Sequence, residues 1–203
     1  MKAMAGIGVP SHLPTVVTGP DGVVRCRWAR ATGRDLTAYH DDEWGRPTHD
    51  EAELFEALVL TYFENGLSWA SVFGPRGNLR AAFHGFDPAA VAAMTDGDVE
   101  RLMADSSIIR NRQKIEATLH NARLLSKYPL CQLAWQHQPF TQHRLRSWSD
   151  GRMVSPESRR LSAAVREAGF RLVGRSSPIH SCKPSGSRTV TSRAVFAPRH
   201  EVL

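Results

Sequence analysis

The run Tyr39-His40-Asp41-Asp42-Glu43-Trp44-Gly45 puts a histidine, three carboxylates and two rings within seven residues. Thirteen residues separate His40 from an earlier thiol, Cys26. A thiolate and an imidazole are both good zinc ligands, but a structural zinc usually takes four. On type and spacing alone, a buried thiol and a hydrogen-bonded histidine is the plainer reading. A second pair would have to come from His180-Ser181-Cys182, where a single intervening residue makes a poor local chelate. The rings Trp28, Tyr39, Trp44 and Trp69 also admit two readings. Singly each is ordinary core. Together, beside charged residues, they form a stacking pocket for a flat ligand, and a cationic base would gain cation–π attraction there.

A second cluster begins at the turn Asp105-Ser106-Ser107 and continues through Arg110, Arg112 and Lys114. Turn amides followed by a helix N-terminus can hold a phosphate oxygen. Basic side chains at i, i+2 and i+4 would reinforce that contact, although the first two do not share a face. The alternative is a solvated basic helix end.

Helices must position these groups. Thr48-His49-Asp50-Glu51 has the spacing of a capping box, with Leu54, Phe55, Leu58, Val59, Tyr62 and Phe63 following at helical intervals. Asp87-Pro88 starts a short helix, because the carboxylate caps and the ring presets φ. Asp96 or Asp98 starts the next. A longer helix is expected over residues 110–125, and another from Ser155-Pro156-Glu157 to Gly169. No strand alternation of comparable strength appears before residue 170, and residues 129–150 give no clear pattern. The expected fold is all-α. Residues 1–24 read as a flexible leader, 25–175 as the helical domain, and 176–203 as a divergent, disordered tail in which periodicity vanishes.

The chain has 203 residues, 41% of them hydrophobic, enough for one full core. Its net charge of +6 suits a polyanion such as nucleic acid. Three cysteines are too few for a disulfide framework, which points to a reducing, cytoplasmic compartment. No stretch approaches the roughly 20 apolar residues of a membrane span.

The ordered motifs resemble the DNA-3-methyladenine glycosylase I family, of the helix-hairpin-helix glycosylase superfamily. They are Cys26-Arg27-Trp28, Tyr39 to Gly45, Gly66-Leu67-Ser68-Trp69, Phe83-His84-Gly85-Phe86-Asp87-Pro88, Ile108 to Ile115, Asn121-Ala122-Arg123, Ser155 to Ser158 and Gly169 to Gly174. The resemblance implies a helical fold and excision of 3-methyladenine from alkylated double-stranded DNA by a monomer without membrane contact. It implies a structural zinc with Cys26 and His40 as two ligands. It also implies a base pocket in which Trp69 stacks, Tyr39 forms a wall beside Trp28, and Trp44 supports them. Ser106, Ser107, Arg110, Arg112 and Lys114 fall on the DNA-gripping hairpin.

The chain departs from the pattern in five places, two of them Glu64-Asn65 before Gly66, where the family has a glutamine and a small residue, and Gly74-Pro75-Arg76-Gly77, which interrupts a charged helix. The family carries a base-reading glutamate eight residues before Trp69, where this chain has Thr61, and Glu64 lies three residues on. Ser107 stands where the hairpin prefers glycine. After Gly174 the helix and the second metal-ligand pair that the family expects are missing, and a change of reading frame between about Gly174 and His180 is the hypothesis that would account for both. A non-catalytic, glycosylase-like remnant and a small helical interaction protein are the alternative readings.

Overall fold

The structure, a computed structural model, describes residues 16–26, 29, 36–43, 48–67, 69–137 and 156–174. The described residues belong to two compact units: 16–43 to one, and 48–137 with 156–174 to the other.

The first unit opens with an antiparallel hairpin. Strand β1 is Val16–Thr18 and β2 is Val24–Cys26, with Val16 opposite Cys26 and Thr18 opposite Val24. Residues 16–24 of the segment read as a leader therefore carry regular structure. Two three-residue strands give no alternation to detect, and an ion pair holds them instead. Arg25 is buried and bridges Asp21 at 2.7 Å and Asp41 at 2.6 Å. Tyr39–Glu43 forms a π-helical turn with no fully buried residue.

The second unit is helical throughout its described residues. Helix α1 spans Glu51–Glu64, α2 Trp69–Phe73, α3 Arg76–Ala82 and α4 Pro88–Ala92. Helices α5 (Asp96–Ala104), α6 (Arg112–Leu125), α7 (Leu130–Gln136) and α8 (Pro156–Glu167) follow. The start of α1 differs in detail from the expected box. Asp50 is the cap, accepting from the amides of Ala52 and Glu53 at 2.8 and 3.0 Å. Glu51 instead turns to α7 and accepts from the amide of Cys131 at 2.9 Å, and also from that of Leu130. Asp87 caps α4 as expected, through the amide of Ala90 at 2.7 Å, and Asp98 forms the reciprocal cap with Thr95 at the start of α5.

The core of this unit is aromatic. Phe55, Phe63, Phe83 and Phe86 are fully buried. Phe55 and Phe63 from α1 meet Phe86 and Phe83 edge-on, with ring centroids 6.1 and 6.3 Å apart. Phe86 adopts a φ of +60°, a left-handed conformation costing roughly 1–2 kcal/mol. Burying its ring contributes roughly 1.5–3 kcal/mol, so packing holds the strained turn. Helix α4 packs along α6, and α7 packs between α1 and α8.

Candidate base pocket and nucleic-acid interface

In the second unit, α1 delivers its C-terminal turn toward Trp69. Asn65 caps the helix, and Gly66 reverses the chain at φ +84°, where a side chain would be strained. Leu67 stands exposed on this turn, and Trp69 begins α2. Thr61, the position of the expected base reader, faces its own helix. Its hydroxyl donates to the carbonyl of Ala57 at 2.8 Å. It therefore presents no charge and its only proton is engaged. Glu64 closes the helix half-buried and is itself partnered.

Two features fix this turn to α6. The Tyr62 and Thr118 hydroxyls lie 2.7 Å apart, and Thr118 donates to the carbonyl of Lys114 at 2.8 Å. A hydroxyl has one proton, so Tyr62 donates to Thr118. Burial pushes the Tyr62 phenol well above its ordinary value, although Thr118 and Asn121 oppose that shift. The second feature is Lys114 itself. Its ammonium donates to the carbonyl of Phe63 at 2.7 Å and to that of Asn65 at 2.8 Å. The residue is only 8% exposed, and burial lowers its pKa. The ammonium that the sequence offers to DNA is thus engaged by two carbonyls at the end of α1. The signal was present in the sequence: Lys114, Thr118, Asn121 and Leu125 form one helical stripe, disguised because three of the four are polar.

The turn between α5 and α6 does present the other basic candidates. Ser106, Ser107, Arg110 and Arg112 are all exposed. Asp105 accepts from the amide of Ser107 at 2.8 Å, which fixes the turn, and the Ser107 hydroxyl and then its amide hold the carboxyl below its ordinary value. Ser107 does not have a positive φ, so serine in place of glycine costs no strain. Asn78 on α3 donates to the Ser107 carbonyl at 3.0 Å, and Asn111 caps α6 through the Lys114 amide at 3.1 Å. Neither asparagine was singled out in the sequence, although an Asn just before a helical stripe is a start signal. Arg112 pairs with Glu100 at 2.9 Å. Arg110 has no ion-pair partner among the described residues.

In the first unit, Tyr39 opens the π-helical turn, and His40 lies next to Asp41. Nδ1 of His40 and Oδ1 of Asp41 are 2.8 Å apart. The Asp41 carboxyl is held below its ordinary value, first by the Arg25 guanidinium and then by His40. Cys26 ends β2, with its side chain outside the described atoms, as is that of Trp69. Trp28 and Trp44 lie outside the described residues. Among the described residues, no three His, Cys, Asp or Glu side chains gather as a metal site.

The fold and site define an all-α protein of the kind seen in solved DNA glycosylases. A crystal structure of a 3-methyladenine DNA glycosylase I aligns with a TM-score of 0.65 at 37% identity, over 75% of this chain and 87% of that one. The Staphylococcus aureus 3-methyladenine DNA glycosylase I, solved to define 3-methyladenine recognition, aligns with a TM-score of 0.63 at 29% identity, over 70% of this chain and 79% of that one. The DNA-3-methyladenine glycosylase 1 of Escherichia coli is 40% identical over 158 residues, which are 74% of this chain and 83% of that protein. Residues 28–181 match the methyladenine glycosylase family model, and the chain belongs to that family.

Proposed function

We propose that this chain is a DNA N-glycosylase that excises 3-methyladenine, acting as a monomer on double-stranded DNA in the cytoplasm. Family membership across residues 28–181 carries this reading. The chemistry suits a site made of rings. Methylation at N3 gives the base a positive charge. Cleavage of the N-glycosyl bond returns the electron pair to the base, which leaves neutral, and water meets the sugar cation. Little general-acid assistance is needed; the nucleotide must be extruded and its base recognised. In this reading Trp69 stacks on the base, Tyr39 and Trp28 border it, and Trp44 supports them. Ser106, Ser107, Arg110 and Arg112 grip the phosphates through the exposed turn before α6. Among the described residues no helix is long and apolar enough to cross a membrane.

A structural zinc at Cys26 and His40 is part of the same proposal. The His40–Asp41 pair supports it, because a carboxylate commonly orients a metal-bound imidazole. The described residues do not complete a four-ligand set, and no catalytic step depends on the ion. Two ligands hold zinc weakly, so atomic absorption should find zinc in the chain as purified and well below one equivalent after dialysis; no zinc at either stage would remove the site, and a full equivalent after dialysis would mean that further ligands complete it.

One observation favours a slower enzyme than its relatives. The Thr61 hydroxyl is engaged by its own helix and cannot make the charge-assisted contact of a carboxylate. Release of free 3-methyladenine from alkylated DNA is therefore expected to be weak. Thr61→Glu is expected to raise the rate about tenfold or more, the worth of one charged hydrogen bond. Equal rates from the two proteins would place base recognition elsewhere, with Glu64 next in line. No release from either would favour the non-catalytic reading.

A further inference from the structure

We propose that Lys114 is a positioning residue for the base pocket rather than a phosphate contact; this rests on the glycosylase reading above. The last carbonyls of a helix have no partners within it. At the end of α1, the amide of Asn65 takes the Tyr62 carbonyl at 3.2 Å, and the amide of Leu67 takes the Glu64 carbonyl at 2.8 Å. The carbonyls of Phe63 and Asn65 face one side, and the Lys114 ammonium takes both. A cation at a helix C-terminus is favoured by the helix dipole. Its Nζ also lies 5.8 Å from the centroid of the Phe63 ring.

The placement of these bonds gives the residue its function. One carbonyl belongs to the helix that carries Thr61, the other to the turn that leads through Gly66 to Trp69. The lysine sits in the first turn of α6, where Asn111 holds its backbone amide. A single side chain thus links the pocket-side turn to the helix whose exposed N-terminal turn faces solvent. The same residue anchors α6 to α1 through its carbonyl, by way of Thr118 and Tyr62. Three neighbouring tethers converge there, and only the ammonium reaches beyond the end of α1.

A phosphate contact and a positioning contact fail differently. Loss of a phosphate contact lowers the dependence of DNA binding on salt by about 0.9 in log–log slope. Loss of a positioning contact leaves that slope alone and loosens the turn. The test uses the full chain, with Lys114→Met as the variant and Arg110→Ala as the comparison for a phosphate contact. Binding to an undamaged duplex is measured against salt, amide exchange is measured over residues 65–67, and single-turnover release is measured on alkylated duplex.

Lys114→Met is expected to keep the salt slope of the unmodified chain. It is expected to speed exchange of the turn amides about tenfold relative to α4, and to slow single-turnover release by a similar factor at unchanged duplex affinity. A slope lowered by about 0.9 with the turn still protected would overturn the proposal. If the methionine variant does not fold, Lys114→Gln is read by salt slope alone: an unchanged slope supports the positioning role and a lowered one sinks it. Absence of release from the unmodified chain would count against the glycosylase reading, while the exchange and salt measurements would still decide what Lys114 does.

Discussion

The segment Tyr39–Glu43 and the end of helix α1 both carry candidate pocket residues, but they are held by different forces. The first has no fully buried residue, and polar bonds give it order: Asp41 takes Arg25 on one side and His40 on the other. The second lies on a core of fully buried aromatic rings, with a buried lysine and two hydroxyls closing its polar groups. Arg25 is buried but both of its carboxylate partners are partly exposed, and pairs in which water can solvate one charge contribute little net stability. Packed rings contribute several kcal/mol each. The ring-and-acid segment, richest in chemistry, is thus the more weakly fixed of the two, and the end of α1 supplies a firm frame.

The largest test of this contrast is Phe63→Ala. The ring is fully buried against Phe83 and beneath the Lys114 ammonium. Truncation is expected to cost about 3–5 kcal/mol in urea unfolding. A loss under about 1 kcal/mol would show that the core relaxes and frames nothing.

Glu56→Gln comes next. Glu56 is a buried carboxylate on α1 that accepts from Arg76 at 2.7 Å and from Arg80 at 2.8 Å. Removing its charge takes a close carboxylate partner from the largely buried Arg76. Arg80 is 42% exposed, and water takes over part of its solvation. A loss of about 2–3 kcal/mol is expected, less than for a wholly buried pair. The double variant Glu56→Gln with Arg76→Met should recover part of it. No recovery would mean that the carboxylate acts through packing alone.

The smallest effect belongs to the first region. Asp41→Asn is expected to cost no more than about 1 kcal/mol at neutral pH, because Asp21 still pairs with the buried Arg25 and the Asp41 side chain is 31% exposed. Its signature is in the pH dependence. The Asp41 carboxyl lies below the ordinary value of 3.8 in the folded chain, chiefly because of Arg25, and Asp21 is lowered to about 2 by the same guanidinium. A depressed carboxyl contributes stability that is fully present above its unfolded pKa and is lost as pH falls through the folded one. Hairpin stability should therefore decline from about pH 4 to about pH 2, and Asp41→Asn should flatten part of that decline. A decline of unchanged steepness in the variant would remove Asp41 from the lock.

Much of the second unit was legible in the sequence, because its helices are built on local rules. Asp87-Pro88 capped and started α4 where the dipeptide said it would. The long helix expected over residues 110–125 runs from Arg112 to Leu125. Gly169 ends the last described helix at φ +96°. The expected tail, residues 176–203, lies outside the described residues, as do Trp28 and Trp44.

The sequence by itself determined the helical pattern, the family and the chemical types available to the site, because propensity, capping and motif order act over a few residues. The tertiary structure decided the partners. Glu51 has the spacing of a local cap but binds amides at positions 130 and 131, and Arg25 reaches a carboxylate sixteen residues away. Lys114 reads as one of three basic side chains for DNA, yet it closes the end of another helix fifty-one residues away from the carbonyl it takes. Charge and spacing are properties of the chain. Which carbonyl a lysine meets depends on which helices pack together, and side chains distant in sequence control that packing.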